Sequence, residues 1–324
     1  PAAGPLGPDR RTGSACRRGR GARRVYSCGP PGHCRSARRR IRVAALLAEF
    51  RSLSLWRPAV PPILPGAEPF RHDGSSTGVL LCHGFTGSPQ SLRPWAEDLA
   101  GHGLTVSLPL LPGHGTRWEE LAVTGWEDWY ATVDRELRLL RDRCERVFVC
   151  GLSMGGALAL RLAARHGAAV RGIVLVNPAT TFPRMQGYAL TLGRFLIRSA
   201  PGIADDIAKD GRHELGYDRV PTRAAYAMRD LVRVVRGDLP KVTQPLLLLH
   251  SRTDHVVPPT DSALVLGRVS STDVTETVLE HSYHVATLDH DAEQIFADSR
   301  GFIDRLTAAE DAPLSTARSA RDSA

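Results

Sequence analysis

Stretches rich in apolar residues alternate with amphipathic stretches through most of the 324-residue chain. The pattern predicts strands at 77–82, 104–111, 147–150, 170–176, 245–250 and 274–279, of which 77–82 and 245–250 are typical of buried parallel strands. Apolar residues recur at helical spacing in 90–102, in 126–143, in 154–164 and in the stretch that ends near Leu306. Because strands and helices alternate, the pattern predicts βαβ units, and hence an α/β fold with a mostly parallel central sheet and helices on both faces.

The alternation stops between residues 177 and 244, a segment far longer than a single crossover between parallel strands needs. Within it, 187–199 and 222–236 carry apolar residues at helical spacing. We predict a small helical cap at about 178–243, inserted before the strand at 245–250, where it could cover the ends of the strands. Apolar stripes of this kind are more often packing surfaces than substrate contacts, so no cap residue is assigned a binding role.

A serine stands between the strand at 147–150 and the helix that follows, in the motif Gly-Leu-Ser-Met-Gly at 151–155. The motif alone is weak, but its position between a strand and a helix is typical of a nucleophile on a sharp turn. Such a turn holds Ser153 at positive φ and leaves no room for a side chain at Gly151 or Gly155. It also places the backbone N–H of Met154 at a helix start, where it could stabilise an oxyanion. An ordinary glycine-rich turn with a buried serine is the alternative.

A second glycine-rich loop, His-Gly-Phe-Thr-Gly at 83–87, follows the strand at 77–82. A loop at this position can turn a backbone N–H toward the serine on the neighbouring strand, so Phe85 is the predicted second oxyanion donor. A plain strand-to-helix turn is the alternative. Another glycine-rich turn, at 112–115, contains His114, for which turn chemistry is favoured over catalysis.

A candidate acid follows a later strand. Asp254 lies in the loop after the strand at 245–250, which places it at the same rim of the sheet as Ser153. An aspartate that only caps its own loop is the alternative role. Asp261 and Asp273 are weaker candidates, because one begins a helix and the other lies in a polar turn.

A candidate base lies in the loop after the strand at 274–279. His284 is preferred to His281, which directly follows the strand. An isolated histidine is usually structural, but the chain order here is Ser, Asp, His, which one triad-bearing fold uses and which differs from the chymotrypsin and subtilisin orders. Ser153, Asp254 and His284 are therefore the predicted catalytic residues.

The charge of the chain is unevenly distributed. Residues 1–59 contain 14 Arg and no Lys against Asp9 and Glu49, whereas residues 60–324 contain 28 basic and 32 acidic residues. The high isoelectric point of the chain, about 9.6, is therefore due to the arginines of residues 1–59, the leader. Nothing in the remainder suggests a groove for nucleic acid, so no nucleic-acid partner is expected.

The leader at 1–59 is rich in Arg, Pro and Gly and shows almost no periodicity. Its apolar run at 43–48 is too short for a transmembrane helix, and Arg-Arg-Arg at 38–40 only weakly resembles a twin-arginine signal. Because no Met precedes Met154, we hypothesise that translation begins near Val60 and that the leader is not native or is disordered; an intact mass that includes it would contradict this. We predict an α/β domain at 60–307 and a disordered tail at 308–324.

The cysteines indicate a reduced protein. The three in the leader, Cys16, Cys28 and Cys34, lack a metal-binding pair spacing, so no metal site is expected. Cys82 and Cys150 lie inside apolar strands, where a free cysteine behaves as a small hydrophobic residue. A cytoplasmic protein with no stable membrane insertion is the expectation.

From about Ile63 to Leu306, the chain resembles an α/β-hydrolase and is similar to the small bacterial carboxylesterases and monoacylglycerol lipases. The residues that carry the resemblance are Leu-Cys-His-Gly-Phe-Thr-Gly at 81–87, Gly-His-Gly at 113–115, Gly-Leu-Ser-Met-Gly-Gly at 151–156, Asp254, and His-Val-Ala-Thr-Leu-Asp at 284–289. One position departs from the pattern: the residue before the histidine is commonly glycine in such enzymes and is Tyr283 here.

The resemblance implies that Ser153 is the nucleophile and that Asp254 and His284 are its partners. It also implies that Phe85 and Met154 are the oxyanion donors and that a small cap lies over an acyl pocket. A serine activated in this way forms an acyl-enzyme that water hydrolyses, and the chemistry requires no metal or other cofactor.

The predicted function is a serine carboxylic-ester hydrolase, whose small-molecule substrates are short to medium acyl esters such as monoacylglycerols. An acyltransferase or thioesterase with the same triad is the alternative. A non-catalytic binding module is a third hypothesis, which the presence of all three residues disfavours. Epoxide hydrolases and dehalogenases of this fold carry an aspartate where Ser153 stands, so they are disfavoured too. The sequence gives no indication of an oligomeric state.

Overall fold

A computed structural model of the protein describes residues 61–182, 197–202 and 205–311. The predicted leader at 1–59 lies outside the described residues, as does 312–324 of the predicted tail. Most of the helix predicted at 187–199 lies outside them too.

A seven-stranded sheet forms the centre of the described part of the chain. The strands of the described residues, including two that lie outside this sheet, are in chain order β1 (Phe70–His72), β2 (Thr77–Cys82), β3 (Thr105–Leu108), β4 (Arg146–Leu152), β5 (Gly172–Val176), β6 (Ser199–Pro201), β7 (Arg219–Pro221), β8 (Leu246–Ser251) and β9 (Val274–Leu279). The sheet has the order β1-β3-β2-β4-β5-β8-β9, and β6 pairs separately with β7. Within the large sheet β1 is antiparallel to β3, and the other neighbours are parallel. The predicted mostly parallel sheet is confirmed.

Helices cover both faces of this sheet. They are α1 (Arg93–Gly101), α2 (Trp118–Leu121), α3 (Trp126–Arg141), α4 (Met154–His166), α5 (Thr222–Asp238), α6 (Thr260–Leu266) and α7 (Ala292–Asp311). On β2, Leu80 and Cys82 belong to the core shared with α3, α4 and α5. Val79 and Leu81 belong to the core shared with α1 and α7. Because both faces are packed against helices, the central strands are apolar at successive positions rather than at alternate ones.

Several predicted element boundaries differ from the structure: β3, for example, ends at Leu108 instead of 111. Two of the differences have a clear local cause. The last helix extends to Asp311 instead of ending near Leu306, because Thr307, Ala308 and Ala309 continue the helix without adding to its apolar stripe. At the other position, Ser199, the last residue of the stretch predicted as helix at 187–199, is the first residue of β6. Pro201 disfavours helical backbone at the residue before it, and β6 instead pairs antiparallel with β7.

The cap region therefore contains the β6–β7 pair as well as a helix. Helix α5 buries Met228, Leu231, Val232 and Val235 in the same core as α4. This apolar stripe packs against the domain, which agrees with the prediction that it is a packing surface. No helix of the described segments is both long enough and apolar enough to span a membrane.

Candidate active site

Ser153 lies on the turn between β4 and α4, with φ 57° and ψ −118°. Its N–H donates to the carbonyl of Val176 at 3.0 Å, and its carbonyl accepts from Ala179 N at 3.1 Å. These bonds tie the turn to the end of β5 and to the chain that follows it. A non-glycine residue at positive φ is uncommon and strained, so the surrounding contacts must hold it there. The predicted backbone conformation of Ser153 is confirmed.

The two glycines of the motif are required by close backbone contacts. A Cβ atom at Gly155 would overlap the carbonyl oxygen of Cys82, and one at Gly151 would overlap the backbone of Gly155. In both cases the atoms that the Cβ would meet belong to the backbone, so they cannot move aside as a flexible side chain could. The sharp turn therefore exists only because both positions lack a side chain.

Asp254 and His284 form a buried pair. Their side chains are 2% and 9% exposed, and Asp254 Oδ2 lies 2.8 Å from His284 Nδ1. The other oxygen of Asp254 accepts hydrogen bonds from Val256 N at 2.8 Å and Val257 N at 2.7 Å. A carboxylate beside Nδ1 orients the ring and selects the tautomer that carries its proton there. Nε2 is then the ring nitrogen that can accept a proton.

The weaker candidates for the catalytic acid and base do not pair with Asp254 or His284. Asp261 is buried and accepts hydrogen bonds at 2.6 Å from the backbone N–H groups of Thr180 and Thr181. Asp273 forms an ion pair with Arg305. His281 donates its backbone N–H to Asp291. Asp261 therefore anchors the start of the cap, and Asp273 anchors helix α7.

The loop of the second predicted oxyanion donor lies against the serine turn. A Cβ atom at Gly84 would lie 3.7 Å from Ser153 Cβ, so the loop backbone passes directly beside the serine. Thr86, next to Phe85, adopts a left-handed conformation with φ 64°. Met154 is the first residue of α4, and an N–H at this position has no acceptor within the helix. The assignment of Phe85 and Met154 as oxyanion donors remains a prediction that this placement supports.

His83, the first residue of the loop that carries Phe85, packs against His114. Their ring centroids are 5.1 Å apart, and the rings of Phe85 and Trp129 lie against His114. Burial lowers the pKa of His83 to about 4 and lowers the pKa of His114 well below its usual value. His114 Nδ1 lies 3.1 Å from the carbonyl of Pro112. A neutral, buried ring bonded to its own turn agrees with the structural role predicted for His114.

Tyr283 occupies the position that is commonly glycine. Its φ is not positive, so its backbone does not require glycine. Its N–H donates to Asp289 Oδ2 at 2.9 Å, and its carbonyl accepts from Ser251 Oγ at 2.7 Å. The ring packs edge-on against His255 with centroids 4.7 Å apart. The departure from the family pattern is therefore accommodated by side-chain packing at the rim.

Several residues at the site were given no role from the sequence. Asn177 donates its side-chain amide to the carbonyl of His284 at 2.8 Å. Asp206 accepts the N–H of His284 at 3.1 Å. Asp289 accepts the N–H groups of Ala208 and Lys209 from the cap. The position of Asn177 directly after β5, at the carboxyl end of a parallel strand, could have indicated it. Asp206 lies in the inserted cap, where no periodic pattern singles it out.

Glu214 of the cap lies near the same histidine. A Cβ atom at Gly87 would lie 2.5 Å from Glu214 Oε1, so this carboxyl reaches the glycine-rich loop of Phe85. Gln90 bonds the carbonyl of His213 and the N–H of Leu215, which fixes the backbone on both sides of Glu214. Burial raises the pKa of the Glu214 carboxyl to about 7, although His284 nearby lowers it in part. Glu214 therefore titrates near neutral pH.

This pKa predicts a pH-dependent stability. Its folded value, about 7, exceeds the ordinary value of 4.5, so the folded state binds more protons between these values and loses stability as pH rises through them. The Glu214→Gln variant removes this loss. We therefore expect the free energy of unfolding of Glu214→Gln, relative to that of wild type, to rise by on the order of 3 kcal/mol between pH 4.5 and pH 8, as measured by urea denaturation.

The exposed Glu119 provides the control, since Glu119→Gln is expected to leave the pH dependence of the unfolding free energy unchanged. If the free energies of unfolding of wild type and Glu214→Gln differed by a constant amount over this pH range, the raised pKa of Glu214 would be contradicted.

A parallel sheet that carries a strained serine on the turn after a central strand, with an Asp–His pair at the same rim, defines an α/β-hydrolase. The family described as Serine aminopeptidase, S33, matches residues 75–291, and the chain belongs to this family.

Known relatives specify the class of reaction. A thermostable monoacylglycerol lipase of Bacillus sp. (strain H-257) is 41% identical over 241 residues, which are 74% of this chain and 96% of the relative. A carboxylesterase of Bacillus subtilis (strain 168) is 28% identical over 247 residues, covering 74% of this chain and 97% of that protein. A solved structure from work on the metagenome-derived lipolytic enzymes LipS and LipT is 42% identical with a TM-score of 0.74, covering 75% of this chain and 100% of that chain.

These relatives confirm the predicted fold class and the predicted enzyme class. Although the family description names an aminopeptidase, the relatives at 41% and 28% identity are named as ester hydrolases. The chain is a serine hydrolase of carboxylic esters.

Proposed function

We propose that the protein hydrolyses acyl esters through an acyl-enzyme formed on Ser153. The observation that carries this proposal is the buried Asp254–His284 pair at 2.8 Å, on the same rim of the sheet as the strained serine turn. A serine hydroxyl is a weak nucleophile by itself and needs an adjacent base. The pair supplies an oriented base whose Nε2 can accept a proton.

Each residue has a role in the proposed reaction. Ser153 Oγ attacks the ester carbonyl while His284 Nε2 takes its proton, and Asp254 stabilises the imidazolium that forms. The N–H groups of Phe85 and Met154 donate to the oxygen that becomes negative. His284 then protonates the departing alcohol. Water, activated by the same histidine, attacks the acyl-enzyme and releases the acid and Ser153.

The substrate class that we propose is short to medium acyl esters, including monoacylglycerols. The support for this choice is the similarity to the Bacillus monoacylglycerol lipase and to the Bacillus subtilis carboxylesterase. The buried stripe of α5 gives no information on the acyl chain, because it packs into the core of the domain.

The substrate proposal is tested by hydrolysis of p-nitrophenyl esters with acyl chains from two to sixteen carbons and of 1-monoacylglycerols, using the full chain. We expect kcat/KM to peak at a short or medium chain and monoacylglycerols to be hydrolysed. Each additional CH₂ that the pocket buries contributes about 0.8 kcal/mol, or roughly fourfold in kcat/KM, until the pocket is full. A peak at the longest chains, or transfer of the acyl group to an added alcohol in preference to water, would contradict the proposal.

We also infer that residues 60–307 carry the catalytic unit and that the protein works in the cytoplasm. The family match at 75–291 lies within that range. Cys82, Cys144 and Cys150 are buried free thiols, as is usual in a reducing compartment. Recovery of the native enzyme from the periplasm or the culture medium would contradict the location.

A further inference from the structure

One side chain of the cap contacts both loops that carry the Asp–His pair. Asp206 Oδ2 accepts the backbone N–H of His284 at 3.1 Å and that of His255, the residue after Asp254, at 3.2 Å. Its Oδ1 lies 2.7 Å from His255 Nδ1. The backbone carbonyl of Asp206 accepts from Val285 N at 3.1 Å. A single residue thus joins the acid loop, the histidine loop and the cap.

The two loops need such a connection because the sheet does not extend to them. Pairing between β8 and β9 ends at Ser251 and Leu279, and the Asp–His pair lies beyond this point. Asn177, directly after β5, donates to the carbonyl of His284 at 2.8 Å, and Asp206 of the cap accepts its N–H. The backbone of His284 is therefore fixed at both its donor and its acceptor.

The bonds of Asp206 are made in a mostly buried setting. Its side chain is only 11% exposed. Hydrogen bonds from N–H groups to a carboxylate are stronger than neutral ones, and low local dielectric strengthens them further. Removal of the carboxylate would leave two backbone N–H groups without this acceptor and would loosen both loops.

We propose that Asp206 is a positioning residue for the reaction at Ser153, because it fixes His284 relative to Asp254 through the backbone of both loops. This proposal rests on the proposed function of these residues. It makes the cap part of the catalytic framework. A base displaced by about 1 Å can cost roughly 100-fold in rate, although substrate contacts are unchanged.

The test compares Asp206→Ala and Asp206→Asn with wild type, as the full chain and with a p-nitrophenyl ester as substrate. For Asp206→Ala we expect kcat to fall roughly 10- to 100-fold with KM within about twofold of wild type. For Asp206→Asn we expect an intermediate kcat, because the amide oxygen can still accept one of the N–H groups. The exposed Asp210 lies in the same segment, and Asp210→Ala is expected to retain the wild-type kcat.

A second readout separates this proposal from the proposed function. A fluorophosphonate probe labels an activated serine, and its rate of reaction with Ser153 should fall in parallel with kcat in the Asp206 variants. No labelling and no ester hydrolysis by the wild type would contradict the proposed function itself. With an active wild type, an unchanged kcat in Asp206→Ala, or a raised KM with unchanged kcat, would overturn the role of Asp206. If the alanine variant does not fold, the nearly isosteric Asp206→Asn variant decides by the same criteria.

Discussion

Replacement of Ser153 by alanine is expected to lower kcat for ester hydrolysis on the order of 10⁶-fold. The variant removes the oxygen that attacks the carbonyl, and no neighbouring group can form the same acyl-enzyme. Activity is measured with a p-nitrophenyl ester of the chain length at which wild type peaks. Because alanine retains the Cβ that the turn accommodates, and Ser153 is held through its backbone, the melting temperature should change little.

Ser76 provides a matched control. It precedes β2 on the side of the sheet opposite the serine turn, and its hydroxyl bonds to Glu145 near the protein surface. Ser76→Ala is expected to keep the wild-type kcat, since the hydrogen bond it loses is exposed. Ester hydrolysis by Ser153→Ala at a rate near wild type would refute the assignment of Ser153 as nucleophile.

Replacement of Asp254 by asparagine is expected to lower kcat about 10⁴-fold. The asparagine side chain has nearly the same shape, but it can present an N–H to His284 Nδ1 and so favour the tautomer with the proton on Nε2. That tautomer cannot take a proton from Ser153. Asparagine also lacks the negative charge with which Asp254 stabilises the imidazolium during acylation. The measurement is the steady-state kcat of both proteins at pH 8.

The other aspartates considered from the sequence supply the control for this prediction. Asp273 is paired with Arg305, and Asp273→Asn is expected to leave kcat unchanged. Asp261 is a poorer control because its carboxylate accepts three hydrogen bonds from Thr180 and Thr181 at the start of the cap, and loss of that carboxylate would destabilise the fold. A large loss of activity in Asp273→Asn, with Asp254→Asn active, would show that the acid has been misassigned.

Much of the architecture follows from local patterns. The strands β2 and β9 have the predicted bounds, because β2 is buried along its whole length and β9 is rich in the β-branched residues Val and Thr. The end of α7 and the start of β6 differed from prediction. In both cases the deciding factor was local backbone preference in a polar or proline-containing stretch, which hydrophobic periodicity does not report.

The sequence by itself also determined the chemistry of the candidate residues and their order. A serine can be held at positive φ between a strand and a helix only if Gly151 and Gly155 flank it, and this requirement is visible in five consecutive residues. The order Ser, Asp, His was likewise present in the chain. The first signal lies within a short motif and the second in the order of residues along the chain, so both can be recognised without knowledge of the fold.

The sequence favoured Asp254 by its position after a strand, but only the tertiary structure showed that it lies against His284, and which residues of the cap hold that pair in place. Asp254, Asp261 and Asp273 are chemically identical, and only their positions around β8 and β9 separate a partner of His284 from two structural anchors. Asp206 contacts His284 across 78 residues of sequence, and Glu214 acquires its raised pKa from burial near the same histidine. Such properties arise from contacts between distant segments. The residues themselves carry no periodic or motif signal for those contacts, since burial and charge pairing exist only after the chain has folded.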